Sequence, residues 1–181
     1  VLALGGAADI TLQPGATAYY RLTTPVGATV RVSIDSNSTA AVENRVYVAA
    51  RGIPSEAKHD FASLIPFAAD QSLLIPKTQH EEYFIMVVAG RDAESSQQIR
   101  LSTEELFFSI SDSGYGVGGN EGQLTLEING AQFDPQVQAW LHGPQGNVVT
   151  ASRVWPINET RLYATFDLRG LAAGSYAVGI E

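Results

Sequence analysis

The sequence predicts an all-β protein built from two antiparallel β-sandwich domains in tandem, with little or no helix. Two observations predict this fold class. Apolar and polar residues alternate with a period of two along short segments that recur about every ten residues, whereas helical periodicity is almost absent. The chain has 181 residues and a hydrophobic content of 45%, which is enough for two small domains that each bury a core.

The alternation is clearest over residues 29–35. There Val30, Val32 and Ile34 would face a core, and the residues between them would face solvent. The other predicted strands share this pattern and span residues 18–24, 44–51, 82–90, 98–103, 123–129, 136–142 and 161–168. Residues 54–65 fit either a loop or one short helix, and the sequence favours the loop because Pro66 would end a helix at once.

A domain boundary is predicted near residue 105, which gives domains at 1–104 and 105–181. Both lysines, Lys58 and Lys77, precede this point. The apolar segment 106–110 then leads into a glycine-rich stretch. We therefore expect two β domains with a short joint between them.

The composition excludes several classes of function. Nineteen acidic residues face eleven basic ones, for a net charge of −8, so a nucleic-acid partner is not expected. The absence of cysteine excludes disulfides, thiol catalysis and iron–sulfur clusters. No apolar run reaches the roughly 18 residues of a membrane helix, so membrane insertion is not expected. The start at Val1, without a signal-like region, predicts a processed or excised piece of a longer protein.

The first half resembles bacterial pre-peptidase C-terminal domains. In that family a Pro-Gly turn precedes a strand of "YYR" type, as Pro14-Gly15 precedes Tyr19-Tyr20-Arg21 here. Further segments match the family pattern of strands and turns, at residues 45–48, 52–54 and 82–87. The resemblance covers about residues 10–104. The acidic Asp-x-Asp-Leu signature of the family is replaced by Glu43-Asn44-Arg45-Val46, so no calcium site is carried over from it.

The second half resembles the immunoglobulin-like TIG domains over about residues 106–181. Three segments match the order of the family motifs, at residues 122–133, 160–166 and 174–178. The two resemblances imply jelly-roll or immunoglobulin-like sandwiches. They also imply a non-catalytic accessory, spacer or adhesion module of a larger bacterial exported or cell-surface protein, so the expected location is extracellular. The expected partners are other domains of the parent chain, a polysaccharide or an extracellular-matrix protein.

Residues 114–119 satisfy the G-x-G-x-x-G pattern of a dinucleotide-binding turn. That turn needs a helix directly after it, because the pyrophosphate sits at the helix N-terminus. Here Leu124, Leu126 and Ile128 follow in strict alternation and predict a strand. The glycines are therefore interpreted as an inter-strand loop. Calcium could bind the oxygen-bearing side chains of this loop, Asp112, Asn120 and Glu121, although their order does not fit an EF-hand.

No catalytic constellation can be assembled from the sequence, and we predict that the protein is not an enzyme. His80-Glu81 begins like a zinc-protease motif, but Phe84 stands where the second histidine belongs. His59-Asp60 could supply two members of a triad, yet no G-x-S-x-G elbow accompanies them. The three histidines are scattered along the chain, and the sequence gives no reason to place them together.

The sharpest functional signal is aromatic. Alternation turns Trp140 and Tyr163 away from the apolar faces of their strands, and Trp155 could join them on the solvent side. Outward tryptophan and tyrosine rings are suited to stacking on sugars or docking a protein. This predicts a carbohydrate-binding module as the alternative function. The competing interpretation is that Trp140 and Trp155 pack against the other domain or a neighbouring module.

Overall fold

A computed structural model describes residues 1–38, 42–114 and 117–181, with the side chain of Gln145 outside the description. The prediction of an all-β fold with antiparallel sheets is confirmed, and the described residues contain one 3₁₀ turn, Pro144–Gly146, and no α-helix. The strands are β1 (Leu2–Ala3), β2 (Ala7–Leu12), β3 (Thr17–Thr23), β4 (Thr29–Ser36), β5 (Arg45–Ala49), β6 (Phe61–Ser63), β7 (Gln71–Ile75), β8 (Glu82–Val88), β9 (Gln97–Leu106), β10 (Ser109–Asp112), β11 (Gln123–Ala131), β12 (Ala139–His142), β13 (Val148–Thr150), β14 (Arg153–Asn158), β15 (Arg161–Asp167) and β16 (Ala177–Ile180).

The chain divides into two compact units, Val1–Leu106 and Phe107–Glu181. The division lies two residues beyond the predicted boundary at residue 104. The predicted boundary is too early because β9 continues to pair with β4 as far as Leu106. The first unit contains a five-stranded sheet of order β1-β3-β8-β5-β6 and a four-stranded sheet of order β2-β9-β4-β7. All its pairings are antiparallel except β1 with β3.

The core of the first unit is formed by the inward residues of these alternating strands. Val30, Val32 and Ile34 of β4 are fully buried, as the period of two predicts. Leu22 and Ile85 are likewise fully buried in the five-stranded sheet. Burying each such side chain contributes roughly 1.5–3 kcal/mol relative to leaving it exposed.

One polar cluster lies inside this core. Asn44 is fully buried, and its Oδ1 accepts hydrogen bonds from the Gly90 amide at 2.8 Å and from Gln97 Nε2 at 3.0 Å. Its Nδ2 donates to the Ala69 carbonyl at 2.7 Å and to Gln97 Oε1 at 3.0 Å. Every polar atom of the Asn44 side chain is thereby satisfied, as burial requires. The residue therefore has a structural role.

The second unit contains a four-stranded sheet of order β10-β11-β15-β14 and a three-stranded sheet of order β13-β12-β16. Its core contains Ile128 of β11 and Leu162, Ala164 and Phe166 of β15, all fully buried. The alternate residues of β11 and β15 face outward. One face of the four-stranded sheet therefore covers the core and the other faces outward.

The structure refines the predicted elements in three respects. Residues 54–65 contain no helix, in agreement with the favoured loop, because Ser55 and Lys58 close a turn; strand β6 then begins at Phe61. Predicted strand 136–142 shortens to Ala139–His142, because Asp134 accepts the backbone amides of Gln136 and Val137 and holds them in a turn. Eight strands lie outside the segments predicted from alternation and complete the sheets, namely β1, β2, β6, β7, β10, β13, β14 and β16.

Candidate ligand-binding face of the second unit

The outer face of the four-stranded sheet brings two of the predicted aromatic residues together. Trp155 of β14 and Tyr163 of β15 are directly opposite each other in the antiparallel register. The next pair along, Pro156 and Leu162, lies on the inner face, so Trp155 and Tyr163 point outward together. Directly opposite side chains on one face of a sheet are close enough to form a single surface.

Trp155 is the main apolar group of this face. It is 51% exposed. The Arg153 guanidinium carbon lies 4.2 Å from the centre of its ring, which is a cation–π contact. Arg153 and Trp155 are two apart on one strand and therefore share a face. The arginine covers part of the indole and holds its plane, while half of the residue stays open to solvent.

Tyr163 is held by the polar side chains of Glu127 and Asn129 on the neighbouring strand β11. Its hydroxyl donates to Glu127 Oε2 at 2.6 Å, and Asn129 Nδ2 donates to Glu127 Oε1 at 3.3 Å. The hydrogen bond from Tyr163 lowers the pKa of Glu127 and raises the pKa of Tyr163. The phenol is therefore kept protonated and the carboxylate ionised around neutral pH. This hydrogen bond fixes the orientation of both side chains.

The arrangement can recognise a flat, hydroxyl-rich molecule. The Trp155 ring offers a surface for stacking, and Glu127 and Asn129 offer hydrogen-bond acceptors and donors at its side. Arg153 adds a cation at the same face. Stacking by an aromatic ring immobilises few torsions, and the hydrogen bonds within the face reduce the ordering needed on binding. These properties suit a sugar ring.

Trp140 does not belong to this face. It lies on β12 of the three-stranded sheet, opposite Gly179 of β16. Its indole nitrogen would lie 2.2 Å from a Cβ atom built on Gly179, so the ring packs directly over that glycine. The His142 ring stands edge-on to it at 6.1 Å. The predicted set of Trp140, Trp155 and Tyr163 is thus divided between two sheets.

Three members of the face, Arg153, Glu127 and Asn129, were not among the predicted site residues. Arg153 could have been found, because it precedes Trp155 by two positions and a strand places such residues on one side. Glu127 could not, because its proximity to Tyr163 depends on the pairing register of β11 with β15. A single sequence does not contain that register.

The predicted calcium ligands lie at and after the end of β10. Asp112 pairs with Asn129 across the strands, and Asn120 Nδ2 donates to the Leu171 carbonyl at 3.1 Å. Glu121 is exposed. In residues 1–38, 42–114 and 117–181, no three His, Cys, Asp or Glu side chains are grouped so that they could hold a metal ion. Calcium binding at this loop stays a prediction.

The described residues of the glycine-rich stretch after Asp112, at 113–114 and 117–122, lie between β10 and β11. Gly114 has a φ of +62°, and Gly116 lies outside the described residues, as does Tyr115. The loop leads into strand β11 at Gln123, where a dinucleotide-binding turn would continue into a helix.

Two of the histidines, contrary to the scatter seen in the sequence, line one cleft of about 440 Å³ in the first unit. They are His59, before β6, and His80, before β8. His59 Nδ1 lies 3.2 Å from the Ser55 carbonyl oxygen, and the Ser55 hydroxyl accepts the Lys58 amide. Asp60 Oδ2 accepts the Ala50 amide. The side chains of Ser55, His59 and Asp60 are thus each engaged with the backbone.

Residues 43–46, which stand in place of the Asp-x-Asp-Leu signature, have structural contacts in the first unit. Glu43 is paired with Arg45 at 2.9 Å, and Asn44 belongs to the buried polar cluster.

Among the helices of the described chain, none is long and apolar enough to cross a membrane.

No protein-family model and no curated protein matches this chain. The resemblance to pre-peptidase C-terminal and TIG domains therefore stays a prediction.

Proposed function

We propose that this chain is a non-catalytic accessory module of a larger bacterial exported or cell-surface protein, and that its second unit contributes adhesion by binding polysaccharide. The observation that carries the adhesive role is the pairing of half-exposed Trp155 with Tyr163 on one sheet face. A large apolar ring left open beside fixed polar groups is the arrangement that carbohydrate stacking requires.

The charged residues around Trp155 indicate which class of glycan the face can bind. Glu127 is ionised and already accepts two hydrogen bonds from Tyr163 and Asn129. Its remaining lone pairs can accept sugar hydroxyls. Arg153 places a cation over Trp155, and Arg161 adds a second one that acts electrostatically on Glu127 and Tyr163. With two cations beside one carboxylate, a neutral or acidic glycan fits this face better than a cationic one.

The test uses the two tryptophans as separate reporters. In a Trp140→Phe variant, Trp155 is the remaining tryptophan, so its fluorescence reports the proposed face alone. We expect soluble polysaccharides to quench this signal, and Trp155→Ala to weaken retention in an affinity gel at least about tenfold, or about 1.4 kcal/mol. Trp140→Phe should leave retention unchanged, because Trp140 lies on the other sheet.

A second candidate is a purely structural spacer. It is favoured by the architecture, in which each unit has a continuous core of its own. The spacer function predicts no fluorescence change across a broad panel of neutral and acidic glycans. That result would remove the adhesive role and leave the spacer.

A further inference from the structure

The three-stranded sheet of the second unit ends in a strand whose outer edge is unpaired among the described residues. β16 pairs with β12 on one side and is the last strand of the sheet. Gln138 and Glu181 exchange both backbone hydrogen bonds, at 2.9 and 3.1 Å. Antiparallel pairs alternate between bonded and non-bonded, so Val178 and Ile180 fall in non-bonded pairs with β12. Their N–H and C=O groups therefore point toward the open edge.

Beside this edge lies a cleft of about 570 Å³ between the two sheets. Leu124 and Leu126 of β11, Leu141 of β12 and Val178 of β16 line it. None of its described lining residues is charged. Leu124 and Val178 are only partly buried, although both belong to the core cluster of the unit. The apolar interior of the second unit is thus incompletely covered where β16 has no neighbour.

The β14 edge of this unit is protected against pairing. β14 carries Pro156, which lacks an N–H, and its register shifts between Pro156 and Asn158. Proline and bulges are the usual devices that stop an edge strand from accepting another strand. β16 has neither device, and its sequence is Ala-Val-Gly-Ile. Its edge is therefore competent to pair.

We propose that the open edge of β16 and the adjoining cleft form the seat of one further β-strand, supplied by a polypeptide segment outside residues 1–181. The segment pairs with Val178 and Ile180 through four backbone hydrogen bonds. Its alternate apolar side chains fill the cleft between Leu124 and Leu141. This is strand addition, in which the main chain supplies the affinity and alternate side chains supply the selectivity.

The chemistry of the seat specifies the occupant. Two donors and two acceptors at fixed spacing along β16 match an extended backbone, which a small molecule or a helix does not present. The described lining of the cleft carries no charge, so an ionised side chain at an inward position would be buried without a partner of opposite charge. Residues 107–181 contain seven acidic and three basic residues, so a segment flanked by acidic residues is disfavoured. The occupant is an extended, non-acidic strand with β-branched or other apolar residues at every second position.

The test extends the full chain after Glu181 by a flexible Gly/Ser linker of about six residues and the strand Thr-Val-Thr-Val-Thr. Tethering makes the pairing intramolecular and raises its effective concentration. We expect the amides of Val178 and Ile180 to exchange with solvent at least about tenfold more slowly than in the unextended chain. The melting temperature should rise as well.

Two matched extensions serve as controls. Replacing both valines by proline keeps the apolar bulk but removes the N–H groups that would face β16, so the protection should disappear. Replacing them by aspartate keeps the N–H groups but places charge in the cleft, with the same expected loss. Equal exchange at Val178 and Ile180 for the valine and proline extensions would overturn the proposal. So would a concentration-dependent dimer of the unextended chain with protected Val178 amides, because a second copy would then be the occupant.

Discussion

At the residue scale, the carboxyl group of Asp167, at the end of β15, has a strongly lowered pKa. Arg169 donates side-chain hydrogen bonds to both of its carboxylate oxygens, and the Arg169 backbone amide donates at 3.1 Å. These bonds lower the pKa of Asp167 to about 2, from an ordinary value of 3.8. Both groups are exposed to solvent, so the pair fixes the local turn and adds little to global stability.

This geometry predicts a defined titration. Because the pKa is depressed in the folded state, the contribution of the pair is present above pH 3.8 and is lost as pH falls toward 2. We expect Arg169→Gln to raise the pKa of Asp167 toward its ordinary value, as measured from the carboxyl carbon by NMR. Arg153→Gln, on another strand, should leave it unchanged. An unaltered titration in Arg169→Gln would show that the arginine is not the cause.

At the element scale, β10 is attached to its sheet by a close approach that only glycine permits. Gly130 of β11 faces Ile110 of β10 in the register. A Cβ atom on Gly130 would lie 2.0 Å from the Ser109 carbonyl oxygen and 2.5 Å from the Phe133 ring. The backbone oxygen cannot move away without breaking the pairing. The short β10 strand therefore depends on this one position.

Gly130→Ala should consequently detach β10 from β11. We expect the Ile110 amide to exchange much faster and the melting temperature of the second unit to fall by several degrees, for a loss of about 1–3 kcal/mol. The control is Gly119→Ala, because a Cβ atom there meets nothing within 4 Å. Equal effects of the two substitutions would contradict the steric explanation.

The predicted and observed elements differ for a physical reason. Strands with one buried face, such as β4 and β15, were predicted because burial imposes alternation on their sequences. β14 was missed, since its residues are half-buried or exposed and Pro156 argues against a strand. Trp155 and Tyr163 were identified individually, but their pairing and the contribution of Glu127 depend on strand register. Register is a property of the assembled sheet.

At the scale of the whole molecule, the two units bury separate sets of residues. The core of the first draws on strands β1 to β9, and the core of the second on residues after 107. Sheets in both units contain only strands of that unit. Each unit therefore has the internal pairing and apolar burial that independent folding needs.

Residues 1–106 produced alone should fold. We expect a cooperative thermal transition and dispersed amide signals that match those of the first unit in the full chain. The comparison fragment, 1–95, lacks β9, which pairs with both β2 and β4, and it should not fold. A molten 1–106 fragment would show that its core needs the rest of the chain.

The buried polar cluster at Asn44 has a consequence for how the first sandwich is aligned. Asn44 directly precedes β5 of one sheet, and Gln97 begins β9 of the other. Apolar faces alone tolerate many relative placements, because hydrophobic contact has no direction. If one sheet shifted by a single residue, the side-chain amides of Asn44 and Gln97 would be buried without hydrogen-bond partners. The hydrogen bonds of the cluster therefore stabilise one alignment of the two sheets, and each shifted alignment would lose them.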